Sequence, residues 1–245
     1  MKVSTDGVVI WEVKTGEADR VITILTPTGI VTAYARGSRR PGNKLTSATS
    51  MLSFSNFELY SGKNMYTVDD ALIKERFLSV FSDVGKYSLA VYFCELLKHL
   101  APVDDDAGEY VSLLLNSLYI LGLETASILQ VKAVFELRIM SISGYMPDLE
   151  LCAGCGVVNS KLLFFDSLNG VWYCEDCSRG SGRSFNSTGA VLESMRYIIN
   201  SEAGKIFSFS IPEKALETLN KLTSVFVLTH IEKPLATLEF LQKFL

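Results

Sequence analysis

No run of 18 residues in the 245-residue chain is free of Lys, Arg, Asp and Glu, which leaves no segment apolar enough for an ordinary membrane-spanning helix. Residues 1–7 place Asp6 where a secretory leader would need an apolar stretch, so the protein is expected to be soluble and non-exported. There is no Gly-Lys-Ser/Thr loop to cradle phosphates and no recognisable pairing of nucleophile and base, and histidine is reduced to His99 and His230. Hydrolase chemistry finds no support, and the chain is not expected to be an enzyme. Internal repeats and low-complexity tracts are missing too. What is present suffices for a sizeable core: 48% of the residues are hydrophobic and 20% charged, and 27.1 kDa allows one large or two to three small domains.

Charge of either sign is modest overall, with 23 basic and 27 acidic side chains giving a net −4, which argues against a nucleic-acid binder that uses its whole surface. The distribution is uneven. Residues 1–80 carry ten basic and eight acidic side chains, a net +2, whereas residues 81–151 carry four and ten, a net −6. A polyanion-facing module followed by a protein-facing one would have this pattern.

Residues 1–80 contain five short runs rich in β-branched and aromatic residues, at 8–13, 20–26, 30–35, 51–60 and 65–69, cut by turn residues at 27–29 and 61–64. In the fourth run Leu52 and Phe54 share one parity and Phe57 and Leu59 the other, which predicts a bulge near Ser55-Asn56. Five antiparallel strands with a bulge fit a small closed barrel of the OB type. From Ser82 the period becomes helical. The pattern predicts helices over 83–101 (with Val84 and Tyr87 on its apolar surface and Ser88 and His99 on a solvated stripe), from Asp106 to about 121, ended by Gly122, and over 124–143, ended by Gly144 and Pro147. Further helices are predicted over 189–200, over 212–230 and after Pro234. Asp106-x-x-Glu109 and Ser210-x-x-Glu213 read as capping boxes.

Cys152-x-x-Cys155 and Cys174-x-x-Cys177, with eighteen residues between the pairs, form the most specific pattern in the chain. Two residues between thiolates make a tight knuckle, and two knuckles supply the four sulfurs of a tetrahedral zinc site about 2.3 Å from the metal. Phe164, Phe165, Trp172 and Tyr173 around a turn at 167–170 suit the hairpin of a zinc ribbon. Two disulfides are the alternative, disfavoured in a reducing compartment. A closed four-sulfur site leaves no position for water, so its expected role is structural. Zinc deaminases place His-x-Glu before Cys-x-x-Cys, whereas His230-Ile231-Glu232 follows both pairs here, so that chemistry is rejected. Cys94 lies in the helix expected to be buried and reads as a small core residue.

Arg36-Gly37-Ser38-Arg39-Arg40-Pro41-Gly42-Asn43-Lys44 packs four cations and no acid into nine residues after a predicted strand. Lys14, Arg20 and Lys63, with Trp11 and Tyr34 as stacking surfaces, would extend it into a groove for a single strand. A merely solvated loop is the other reading.

Gly16-Glu17-Ala18-Asp19-Arg20 with Thr23-Ile24-Leu25-Thr26, and Ala35-Arg36-Gly37-Ser38-Arg39-Arg40, resemble the opening of the bacterial recombination mediator family RecO. Tyr92-Phe93-Cys94-Glu95-Leu96-Leu97, Phe135-Glu136-Leu137-Arg138 and Gly144-Tyr145-Met146-Pro147 before Cys152 are similar to its helical core, in the same order along essentially the whole chain. Where the family often has Pro-Leu-Lys-Ser, this chain has Pro234-Leu235-Ala236-Thr237, which lacks the lysine.

The resemblance implies an α+β multidomain protein: an OB barrel over 1–80, a helical domain from 81–150 and 181–245, and an inserted zinc module over 151–180. It implies a non-enzymatic, cytoplasmic and nucleoid-associated mediator of DNA repair that binds single- and double-stranded DNA and anneals complementary strands. With RecR it would help RecA replace single-strand-binding protein, whose acidic tail the helical domain would hold. The expected DNA contacts are Arg36, Arg39, Arg40, Lys44, Lys14 and Arg20; Lys132 and Arg138 would supply charge beside a groove for the tail; Cys152, Cys155, Cys174 and Cys177 would hold structural Zn2+. A zinc-stabilised adaptor whose barrel grips a peptide is the alternative.

Overall fold

The computed structural model describes residues 2–63 and 65–244; Met1, Asn64 and Leu245, and with Asn64 part of the expected turn at 61–64, lie outside the described residues. Two compact units result, residues 2–123 with 237–244, and residues 124–236. The division falls after Leu123 rather than at the end of the barrel, so the first helices group with the strands.

In the first unit β1 (Lys2–Thr15), β2 (Asp19–Thr26), β3 (Gly29–Ala35), β4 (Phe54–Ser61) and β5 (Tyr66–Glu75) close into a barrel in the order β1-β2-β3-β5-β4. All pairings are antiparallel except that of β3 with β5, which joins only Ala33 to Tyr66 and Tyr34 to Thr67. Long β1 serves two neighbours, β4 through Lys2 to Val8 and β2 through Val8 to Thr15. Gly7 permits the crossover, because a Cβ there would lie 2.4 Å from Ile24 Cγ2 and 2.9 Å from the Leu25 carbonyl. Period-2 alternation turns Ile22 and Ile24, Ala33 and Ala35, and Phe57 and Leu59 inward, where they pack with Val9, Val68 and Leu45 of the short helix α1 (Leu45–Ala48). The expected bulge lies one residue earlier, at Phe54/Ser55, with a second irregularity at Glu58/Leu59. Leu52 owes its different parity to lying in the turn before β4.

The helices of this unit are α2 (Leu78–Phe81), α3 (Val84–Leu100), α4 (Gly108–Leu123) and α9 (Ala236–Leu241). Asp83 caps α3 by accepting from the Lys86 amide at 2.8 Å, and Leu89, Tyr92, Phe93, Cys94, Leu96 and Leu97 are buried. Val84 and Tyr87 are exposed, however, and Ser88 is buried, donating to the Val84 carbonyl at 2.6 Å. The buried face is thus rotated from the predicted one, and His99 is half-buried. Gly122 does not end α4; it lets the helix approach α2, since a Cβ would sit 2.6 Å from Ser79 Oγ. Segment 237–244 belongs to this unit, and the Thr237 amide donates to the Glu95 carboxylate of α3 at 3.1 Å.

In the second unit Ser127 caps α5 (Ile128–Met140), which begins four residues later than expected and ends in a single π-helical turn closed by Gly144 at φ 89°. Helix α5 packs on α8 (Glu213–His230) and α7 (Gly189–Asn200). Helix α8 starts after Pro212, and Ser210 provides no side-chain cap. Lys132 is buried, bound to Glu136 at 2.8 Å, Asn220 at 3.2 Å and Ser224 at 2.5 Å, and Arg138 donates to the Ile198 and Ile199 carbonyls of α7. Both cations expected beside a peptide groove are therefore consumed internally. A sheet of order β7-β6-β8, formed by β6 (Leu162–Asp166), β7 (Val171–Cys174) and β8 (Ser187–Thr188), joins α6 (Glu175–Gly180) to complete the cysteine module. Among the described residues no helix is long and apolar enough to cross a membrane.

Candidate polyanion loop and metal centre

The basic loop leaves β3 at Ala35 and is held from beneath at several points. Asp19, at the start of β2, accepts from the Gly37 amide at 2.6 Å and from the Tyr34 hydroxyl. Those two donors, with the fields of Arg36 and Arg40, hold its carboxyl below the usual carboxylate range. The Arg39 amide donates to the Ala18 carbonyl at 2.8 Å, and Asn43 bridges the loop through the Gly37 carbonyl and the Leu45 amide, both at 2.8 Å. Gly37 takes φ +63° and Gly42 +76°, the left-handed region that glycine enters without strain.

Arg20 departs from expectation. Its side chain is only 11% exposed; Nη1 donates to the Ser38 carbonyl at 3.3 Å, the Thr46 carbonyl at 3.0 Å and Thr49 Oγ1 at 3.1 Å, and Nε lies 3.5 Å from the Glu12 carboxylate. It is turned inward and neutralised, which does not fit the expected role as a phosphate contact. The signal was present in the sequence: Arg20 shares strand parity with Ile22 and Ile24, which face the barrel interior. Arg36, Arg40 and Lys14 are exposed and Arg39 is half-buried, and among the described residues none of the four forms an ion pair. Lys44 meets Asp70 at 2.7 Å in an exposed pair that a stronger anion can displace. Of the aromatic residues, Tyr34 is tied to Asp19, and Lys98 lies 4.4 Å over the Trp11 ring.

In the second unit the four cysteine sulfurs lie within 4.8 Å of one another, with Cys155 and Cys174 Sγ 3.6 Å apart. That spacing far exceeds the ~2.05 Å of a disulfide and matches the ~3.8 Å edge of a tetrahedron with metal–sulfur bonds of ~2.3 Å. The Cys152 sulfur accepts from the Cys174 amide at 3.2 Å and the Gly154 amide at 3.4 Å. Burial raises its pKa, but these amides and that of Cys155 outweigh burial and bring it to about 6. Cys177, facing the sulfurs of Cys155 and Cys174, is pushed up to about 12. Four crowded thiols cannot all ionise without a cation, and a central divalent ion would reverse the penalty. The four residues thus fit a metal ion. Gly154 has to be glycine, because a Cβ would come 2.7 Å from Cys177 Sγ.

Two residues of this region were not signalled by the sequence. Arg183 stacks 4.1 Å over Tyr173, and Arg196 of α7 donates to the Leu149, Glu150 and Val158 carbonyls, contacts that leave no local pattern. His230 is remote from this chemistry: its ring packs on Phe226 at 4.5 Å and Tyr145 at 5.2 Å.

Comparison with known proteins adds a family. Residues 1–77 match the model of the recombination protein O N terminal domain, and residues 82–239 that of the recombination protein O C terminal domain. The chain is 33% identical over 239 residues to a DNA repair protein RecO of Acetivibrio thermocellus, covering 97% of this chain and 95% of the relative. It is 31% identical to the protein of that name in Symbiobacterium thermophilum, covering 97% and 96%, and 30% identical to that in Dehalococcoides mccartyi, covering 98% and 96%. The chain, with its OB-type barrel, helical part and four-cysteine centre, belongs to the RecO family of DNA repair proteins.

Proposed function

We propose that this chain is a non-enzymatic recombination mediator that binds single- and double-stranded DNA and anneals complementary strands, and that with RecR it helps RecA replace single-strand-binding protein, whose acidic tail it holds. The observation that supports this reading most is the loop of residues 36–44: Arg36, Arg39 and Arg40 lack ion pairs among the described residues and stand on a platform already ordered by Asp19, Arg20 and Asn43. Cations presented this way hold the phosphates of two strands close and lower their repulsion while the bases stay free to pair, so annealing needs no nucleotide cofactor. Zn2+ on Cys152, Cys155, Cys174 and Cys177 would act structurally, stabilising a segment too small for its own core.

Salt titration of binding to a labelled single-stranded oligonucleotide tests the loop. Each phosphate contact contributes roughly −0.7 to the log–log slope, so replacing Arg36, Arg39 and Arg40 together by Ala should flatten it by about 2. An unchanged slope would refute the site. Annealing of strands coated with single-strand-binding protein, with and without its acidic tail, tests the mediator role.

A further inference from the structure

We propose that Arg196 is the positioning residue of the metal centre, closing the first Cys-x-x-Cys knuckle at both ends before a metal arrives. Arg196 lies on α7, outside the cysteine segment, yet Nε donates to the Leu149 carbonyl at 2.8 Å, and Nη2 to the carbonyls of Glu150 at 2.9 Å and Val158 at 2.7 Å. Nη1 completes the set with Asn159 Oδ1 at 2.9 Å and Glu193 Oε1 at 2.6 Å. Those five bonds match the five N–H donors of a guanidinium. Residues 149 and 150 lead into Cys152, and residues 158 and 159 lead out of Cys155, so one planar fork joins the two chain segments at the mouth of the knuckle. Inside that mouth the Cys152 amide donates to the Val157 carbonyl and the Gly156 amide to the Cys152 carbonyl, both at 2.9 Å. Buried Trp172, whose Nε1 also donates to the Leu149 carbonyl at 3.2 Å, lies 5.7 Å from the guanidinium.

Charge does not explain the arrangement. Among the described residues Glu193 is the only anion bound, and it is 62% exposed, while the other four acceptors are neutral oxygens. What the site requires is the fork, which the compact ammonium of lysine cannot reproduce. A knuckle closed in this way spares the metal the ordering of its first two ligands, and loss of such outer support typically weakens metal binding 10- to 100-fold.

The proposal rests on the reading of the four cysteines as a metal site, and one experiment separates the two. Metal-free full-length protein is titrated with Co2+, following the thiolate-to-cobalt charge-transfer band, and zinc affinity is measured by chelator competition. Wild type should show the band of a four-sulfur tetrahedral site. Arg196→Lys should keep the band shape and far-UV circular dichroism but bind at least tenfold more weakly, and its metal-free form should lose hydrogen-exchange protection at Cys152 and Gly156. Glu193→Gln should match wild type. Arg196→Lys within twofold of wild type would overturn the proposal, since charge alone would then suffice. Should Arg196→Lys fail to fold, Asn159→Ala, which removes one acceptor and leaves the arginine, should weaken binding several-fold, and wild-type affinity there would overturn it equally. No cobalt band in wild type would sink the metal reading, and this one with it.

Discussion

Arg20 on β2 and Arg36 in the basic loop are the same kind of residue in one unit, and their surroundings differ. Arg20 spends its donors on the Ser38 and Thr46 carbonyls and on Thr49, whereas Arg36 is exposed with no ion pair among the described residues. Composition revealed the cations; only strand parity and the carbonyls supplied by a distant turn distinguish anchor from contact. On the proposed function, replacing Arg20 by Ala should weaken oligonucleotide binding with little change in salt slope, because the exposed charges of the loop survive on a loosened support. The variant should also lose roughly 1–3 kcal/mol of stability by denaturant titration, the usual cost of leaving buried acceptors unpaired. Asp19 supplies a pH signature. Its folded-state pKa lies below the unperturbed 3.8, so the order it gives the loop is complete above that value and fades as pH falls toward the depressed one. The difference in melting temperature between wild type and Asp19→Asn should therefore be constant from neutral pH down to about 5 and shrink below 4.

At the level of elements, strongly periodic segments were legible. Helix α7 spans the predicted residues, α3 falls within the predicted span 83–101, and the barrel strands follow their apolar alternation. Short elements were not. Helices α1, α2 and α6 and strand β8 have six residues or fewer, too little for a period to emerge, and are stabilised by tertiary packing. The box at Ser210 misled because Pro212, not Ser210, holds the N-cap position of α8, and Gly122 misled because glycine can serve close packing as well as termination. The clustering of the four cysteines was legible, since two Cys-x-x-Cys pairs bring their sulfurs together, but the Arg196 contacts beside them leave no local pattern. Removing metal with a chelator should loosen residues 152–177 while leaving the barrel folded. The two tryptophans report separately, Trp172 in the module and Trp11 on β1. The emission of Trp172, followed in a Trp11→Phe background, should shift to the red, while amide exchange in β1 to β5 stays unchanged.

For the whole molecule, a basic loop on an acidic chain of net charge −4 would, on the proposed function, give a moderate and strongly salt-dependent DNA affinity and leave much of the targeting to protein partners. The order of the chain imposes another property. It leaves the first unit at Leu123 and returns at Thr237, where Leu238 and Leu241 are buried and Thr237 bonds to Glu95. Deleting residues 237–245 should therefore lower the melting temperature of the barrel-containing unit by several degrees and raise amide exchange in α3, as measured by hydrogen-exchange mass spectrometry. During synthesis residues 2–123 thus emerge well before the segment that completes their unit. Until residues 237–244 have been made, the nascent first unit waits with an apolar seat open, and any chaperone that attends this chain has a reason to stay until that segment arrives.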